Sequence, residues 1–226
     1  MTRTPSNEID LSVPGTPWIK ICGLTTPETV RAAVGAGADA VGFVFAAGSP
    51  RLLRSEDAAV LRRHVPADVE VVGVFRRQSV GEISQIARTV GLDAVQLHGG
   101  EGADVIDAVL QLGVPVIQAL SMDDYLLMRQ NSTVPDPRAR LLLDAPDPGS
   151  GSLGRVDELA QHRPDAPWLL AGGLNPGNVR RLVEGLRPFG VDVSSGVEES
   201  RGVKSVQLIR DFIRAARGGL APERSR

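Results

Sequence analysis

Trp168-Leu169-Leu170-Ala171-Gly172-Gly173-Leu174-Asn175-Pro176 is the stretch from which the rest of the chain is read. A short apolar run, Trp168–Ala171, stops at two glycines. An Asn-Pro pair then opens a segment in which Val179, Leu182, Val183 and Leu186 recur at helical spacing. The sequence therefore predicts a strand, a tight loop and a helix. The same unit recurs to either side. Apolar segments lie at Trp18–Cys22, Ala40–Phe45, Val69–Phe75, Ala94–Leu97, Val114–Leu120, Leu141–Asp144, Trp168–Ala171 and Val191–Ser194. Several are rich in Val and Ile and run unbroken rather than alternating, as strands buried on both faces of a parallel sheet do. Their ends follow one another at intervals of roughly 22 to 30 residues, the length of a minimal strand–helix unit. Eight such units predict a (β/α)8 TIM barrel. An open doubly wound sheet is the alternative, but it would gather its polar loop residues at one switch point. Here they follow nearly every strand.

The connecting segments carry helix signals. Thr26 is placed to cap a helix with Pro27 at its first position, and Ser79 with Glu82 forms a capping box ahead of Ile83, Ile86, Ala87 and Val90. Asn175-Pro176 opens a later helix, and Val206, Ile209 and Ile213 mark the last. The weakest helical pattern follows Asp144. Residues 1–16 have no apolar periodicity and read as a flexible extension, residues 17–217 as one barrel domain, and residues 218–226 as a fraying tail.

Of the 226 residues, 42% are hydrophobic and 23% charged, which suits a globular domain with a sizeable core. With 25 basic and 27 acidic residues the formal net charge is −2, and aromatics make up only 4%. A nucleic-acid partner, which calls for basic excess or stacking platforms, is not expected. The single cysteine rules out an intrachain disulfide and a Cys-rich zinc site. No His and carboxylate cluster has metal-ligand spacing, and no dinucleotide or Walker loop is present. No apolar run reaches about 20 residues, so no spanning helix is expected. The polar N-terminus lacks a signal peptide's apolar core, and the expected location is the cytoplasm.

In a barrel of this kind the C-terminal strand ends share one face, which holds the site. After strands seven and eight come Gly172-Gly173 and Ser194-Ser195-Gly196, glycines and hydroxyls suited to gripping a phosphate. Asp144 ends strand six, with Asp147 as its neighbour and competitor for proton transfer. Cys22 ends strand one, where it is either a small buried hydrophobe or a base. Arg51 follows strand two, as an anion ligand or a solvated surface residue. His98 ends strand four and, taken alone, reads as a structural histidine.

With these residues assembled, the chain resembles the phosphoribosylanthranilate isomerases of tryptophan biosynthesis. The resemblance rests on Lys20-Ile21-Cys22-Gly23-Leu24-Thr25, Gly42-Phe43-Val44-Phe45 with Ser49-Pro50-Arg51, Val72-Gly73-Val74-Phe75, Gln96-Leu97-His98-Gly99, Leu142-Leu143-Asp144, Leu170-Ala171-Gly172-Gly173-Leu174, and Asp192-Val193-Ser194-Ser195-Gly196-Val197-Glu198. Gly202-Val203-Lys204 continues the last match, and the whole runs in order from about Trp18 to Ile213. It implies an Amadori rearrangement of a phosphosugar substrate with no cofactor and no metal, by a monomer or homodimer. It also implies roles: Cys22 as general base, Asp144 as general acid, Arg51 as a holder of the anthranilate moiety, and Gly172, Gly173, Ser194, Ser195 and Gly196 as the phosphate grip. The two proton-transfer roles require opposite protonation states, with Asp144 neutral and Cys22 partly ionised. A histidine-biosynthesis type of isomerase on the same barrel would be expected to use two acids instead. A noncatalytic phosphosugar-binding protein would have no need to keep both Cys22 and Asp144. One segment departs from the family pattern. After its acid the family usually continues Gly-Gly-Thr/Ser-Gly, then a lysine and an aromatic stretch, whereas here Pro148-Gly149-Ser150-Gly151 is followed by neither.

Overall fold

The computed structural model describes residues 16–144 and 153–218. Eight parallel strands close into a barrel in chain order. They are β1 (Trp18–Cys22), β2 (Ala40–Val44), β3 (Glu70–Phe75), β4 (Ala94–Leu97), β5 (Val116–Ser121), β6 (Arg140–Asp144), β7 (Trp168–Ala171) and β8 (Gly190–Val193). Closure runs through β1 and β8, with Lys20 opposite Asp192 and Ile21 opposite Val193. The helices between them are α1 (Pro27–Gly35), α2 (Ser55–Arg62), α3 (Val80–Val90), α4 (Ala103–Leu110), α5 (Met122–Gln130), α6 (Leu153–Gln161) and α7 (Val179–Leu186), with α8 (Val206–Ala216) last. No helix among the described residues is long and apolar enough to cross a membrane.

The unbroken apolar runs have a simple cause. Successive side chains alternate across a strand, and here both sides are covered. On β1 and β2, Ile19, Ile21, Val41 and Phe43 pack outward in one core with Phe212 and Ile209 of α8. Ala40, Val72, Ala94, Ile117, Leu142 and Leu169 fill a separate cluster inside the barrel. The local signals act as the sequence indicates. The Thr26 hydroxyl accepts from Thr29 N–H with Pro27 at the helix start, and the Ser79–Glu82 capping box is closed in both directions.

Two details differ from the sequence reading. The seventh helix begins at Val179, not at Asn175-Pro176. The Asn175 and Asn178 side chains are drawn into the preceding loop instead, where Asn178 Oδ1 accepts from Asn175 N–H at 2.8 Å and Nδ2 donates to the Gly173 carbonyl at 2.9 Å. After β8, a short 3-10 turn, Ser195–Val197, leads into a hairpin of β9 (Glu198–Ser200) and β10 (Val203–Lys204) that the polar sequence did not announce.

Candidate active site

The strand pleat fixes which residues meet at the mouth. Residues two apart on a strand share a face, so Lys20 lies one layer beneath Cys22, Gln96 beneath His98 and Asp192 beneath Ser194. The Lys20 ammonium, fully buried, donates to Asp192 Oδ2 at 2.9 Å and to Gln96 Oε1 at 2.8 Å. Gln96 Nε2 lies 3.1 Å from His98 Nδ1, and His98 Nε2 lies 3.2 Å from Asp144 Oδ2. A continuous polar chain thus crosses the barrel from β8 through β1 and β4 to β6. Above it opens a cavity of about 490 Å³.

Lys20 also reaches the Cys22 thiol. Burial pulls the Lys20 ammonium down, but Asp192 and Cys22 outweigh it and hold the ammonium above its ordinary value. Burial pushes the Cys22 thiol up, with Lys20 and Lys204 pulling the other way. The free site therefore stores Cys22 chiefly as the thiol. That runs against the partial ionisation expected from the sequence, and the reason is desolvation in the barrel throat. Gly42 on the adjacent strand makes room there: a Cβ at that position would stand 2.9 Å from Cys22 Sγ and 3.2 Å from Lys20 Cε.

The loops after β7 and β8 form the other wall. Gly172 and Gly173 have φ of 85° and 57°, left-handed conformations in succession that glycine alone adopts freely. A Cβ on Gly196 would overlap the Leu174 carbonyl, so the two loops meet through a residue without a side chain. The Ser194 hydroxyl donates to the Cys22 carbonyl at 3.2 Å, and Lys204 Nζ donates to the Ser194 carbonyl at 2.8 Å. The result is a concavity of backbone and hydroxyl groups backed by a buried ammonium, suited to an anion.

Arg51 is not a free surface cation. Its Nε and Nη2 donate to Glu198 at 2.5 and 2.8 Å. Glu198 also accepts from Lys204 at 2.8 Å and from Gly202 N–H at 2.9 Å. Burial opposes its ionisation, but these hydrogen bonds win and hold the carboxyl down to about 2. The bidentate pair uses Nε and Nη2 and leaves Nη1 outside it, and Arg51 also lines the cavity.

Cys22, Asp144, Arg51, Gly172, Gly173, Ser194, Ser195 and Gly196 all line this one cavity. Asp147 lies outside the described residues. Sequence reasoning missed Lys20, Gln96, Asp192, Glu198 and Lys204 as parts of the site, along with Arg76, which lines it just beyond β3. The signal for the first three was a polar residue inside an otherwise apolar strand, two positions before a strand tip. Among the described residues, no three His, Cys, Asp or Glu side chains gather as metal ligands.

A family model described as N-(5'-phosphoribosyl)anthranilate (PRA) isomerase matches residues 19–215. The chain belongs to the phosphoribosylanthranilate isomerase family. A family member from Streptococcus pneumoniae (strain ATCC 700669 / Spain 23F-1) is 44% identical over 209 residues, which cover 90% of this chain and 97% of that one. Among solved structures of the family, TrpF from Jonesia denitrificans is 39% identical with a TM-score of 0.81, covering 90% of this chain and 98% of its own. A phosphoribosyl anthranilate isomerase in complex with reduced 1-(o-carboxyphenylamino)-1-deoxyribulose 5-phosphate is 36% identical with a TM-score of 0.79, over 90% of this chain and 100% of its own. The TIM barrel and the isomerase class follow from this membership.

Proposed function

We propose that the chain converts N-(5-phosphoribosyl)anthranilate to 1-(2-carboxyphenylamino)-1-deoxyribulose 5-phosphate, with Cys22 as base and Asp144 as acid. The observation that carries this reading is the convergence of the Cys22 thiol, the Asp144 carboxyl and a glycine–serine anion cradle on a single cavity. Gly172, Gly173, Ser194, Ser195 and Gly196 hold the phosphate, and the free edge of Arg51 faces the anthranilate carboxylate.

Asp144 gives its proton to the furanose ring oxygen. The C1–O bond breaks and the anthranilate nitrogen lone pair closes a C1=N iminium. The Cys22 thiolate takes the C2 proton, and the C2–H electrons form C1=C2 as the iminium electrons return to nitrogen. The enolamine then tautomerises to the ketone. The substrate nitrogen is the electron sink, so every step balances on the substrate and two protein groups. The iminium cation, formed beside Cys22 with the Lys20 ammonium below, favours the thiolate just when it is used. The substrate's phosphate keeps it in the compartment where it forms, and the compartment of this reading is the cytoplasm.

The test is turnover of freshly generated phosphoribosylanthranilate, followed by loss of anthranilate fluorescence. Cys22→Ser and Asp144→Asn should each lower kcat by about 10²- to 10⁴-fold or more. Product-analogue Kd by calorimetry should change far less, because the phosphate grip is separate. Near wild-type turnover by Cys22→Ser places the base elsewhere, and loss of turnover in Asp147→Asn but not Asp144→Asn moves the acid.

A further inference from the structure

We propose that His98 is a positioning residue for Asp144, held by Lys20 through Gln96 as the Nε2–H tautomer, so that it donates to Asp144 Oδ2 and leaves Oδ1 to carry the proton delivered to substrate. This rests on the reading of Asp144 as the acid.

The argument is a chain of donors and acceptors read from one end. The Lys20 ammonium can only donate. Its contact with the Gln96 amide at 2.8 Å must therefore be to the carbonyl oxygen, which fixes the amide's orientation. The Gln96 NH2 then faces His98 Nδ1 at 3.1 Å, and an NH2 can only donate. Nδ1 is the acceptor, so in the neutral ring the proton sits on Nε2. That nitrogen lies 3.2 Å from Asp144 Oδ2, near enough to donate to it once the two side chains align over bound substrate. Oδ2 is thereby engaged as an acceptor, and the acid's proton belongs on Oδ1.

The consequence for the reaction is directional. When Asp144 gives up its proton, the O–H bond at Oδ1 breaks, the proton bonds to the ring oxygen, and the carboxylate left behind keeps the His98 N–H hydrogen bond. A hydrogen bond to an ionised acceptor is stronger than one to the neutral acid. His98 therefore stabilises the carboxylate formed by proton transfer more than the starting acid, and lowers the barrier without binding substrate more tightly. The orientation originates in Lys20, whose ammonium is anchored by Asp192 at 2.9 Å. One buried cation thus faces the base directly and the acid through two side chains.

Two measurements test this. The first is nitrogen NMR of the wild-type imidazoles, with His98 assigned against the spectrum of His98→Gln. The expected state is Nε2 protonated and Nδ1 bare at neutral pH, and a bare Nε2 overturns the proposal whatever the kinetics. The second is turnover. His98→Leu removes the donor and should lower kcat by about 10- to 100-fold, with KM within about twofold. His98→Gln sets an amide NH2 near the former Nε2 and should recover most of the loss. In an Asp144→Asn background, His98→Leu should cost almost nothing more. Wild-type kcat in His98→Leu, a loss confined to KM, or full additivity in the double variant overturns the positioning role. If instead Asp144→Asn turns over normally while Nε2 carries its proton, the acid assignment is what fails and the tautomer stands.

Discussion

The floor of the barrel holds part-buried charge and the throat fully buried charge, and they use it differently. At the floor, Arg140 at the start of β6 reaches across the interior to Glu70 at the start of β3. It forms a two-point pair at 2.7 and 2.8 Å, with its guanidinium 5.8 Å from the Trp18 ring centroid. Both carboxylate oxygens of Glu70 are engaged, and the aromatic face takes up the cation. In the throat, Lys20 is shared among Asp192, Gln96 and Cys22. Asp192 Oδ1 makes no hydrogen bond to the described protein groups, and the chain ends on a carboxyl open to the cavity. Charge whose partners are complete closes a barrel end, whereas charge with capacity left over serves a ligand. This is why the C-terminal face reacts and the N-terminal face stabilises.

The contrast is open to direct attack. Lys20→Met should have the largest effect, because it strands the buried Asp192 carboxylate and removes the cation beside Cys22. Loss of one partner of a buried pair typically costs about 3–5 kcal/mol. Chemical denaturation should show a fall of that size, and any folded fraction should have lost kcat at least tenfold. Next is the pH profile. The thiol is held above its ordinary value by burial and acts only after losing its proton. Because Asp144 must also keep its proton, the base is read on its own in Asp144→Asn, whose residual kcat/KM should climb about tenfold per unit through neutrality until the thiol titrates. A flat profile between pH 6 and pH 8, as a range of about two units, would mean that Cys22 is ionised in the free site or is not the base. The smallest effect belongs to the floor. Arg140→Met should cost about 1–2 kcal/mol for the part-buried pair and its aromatic contact. That lowers Tm by about 2–8 °C for a chain of this size, with kcat unchanged. If Arg140→Met reduced kcat as much as Lys20→Met, the division between floor and throat would collapse.

Most of the architecture was legible because one physical rule governed it. Strands covered on both faces leave unbroken apolar runs, and their regular spacing, with polar residues after nearly every one, favoured a closed barrel over an open sheet. The strand tips were legible for the same reason, since Cys22, Asp144, Gly172-Gly173 and Ser194-Ser195-Gly196 follow directly from where each run ends. The layer beneath was not read, although the pleat implied it. Lys20, Gln96 and Asp192 stand two residues before Cys22, His98 and Ser194, and so share the interior face with them. The Arg51–Glu198 pair could not be read in this way. It links residues 147 positions apart, through a hairpin whose polar sequence has no strand alternation. Asn175-Pro176 misled the placement of the seventh helix because the Asn175 side chain, of a type that commonly caps helices, is spent here on the surrounding loop, bonding the Gly173 carbonyl and Gly177 N–H.

The desolvated position of Cys22 also bears on the durability of the protein. Peroxides and alkylating agents attack the thiolate and need access to sulphur. Cys22 is 6% exposed and kept mainly protonated by its surroundings. A base that waits as a neutral thiol until a cation forms beside it is also the chain's only cysteine, and between turnovers it offers oxidants very little to attack.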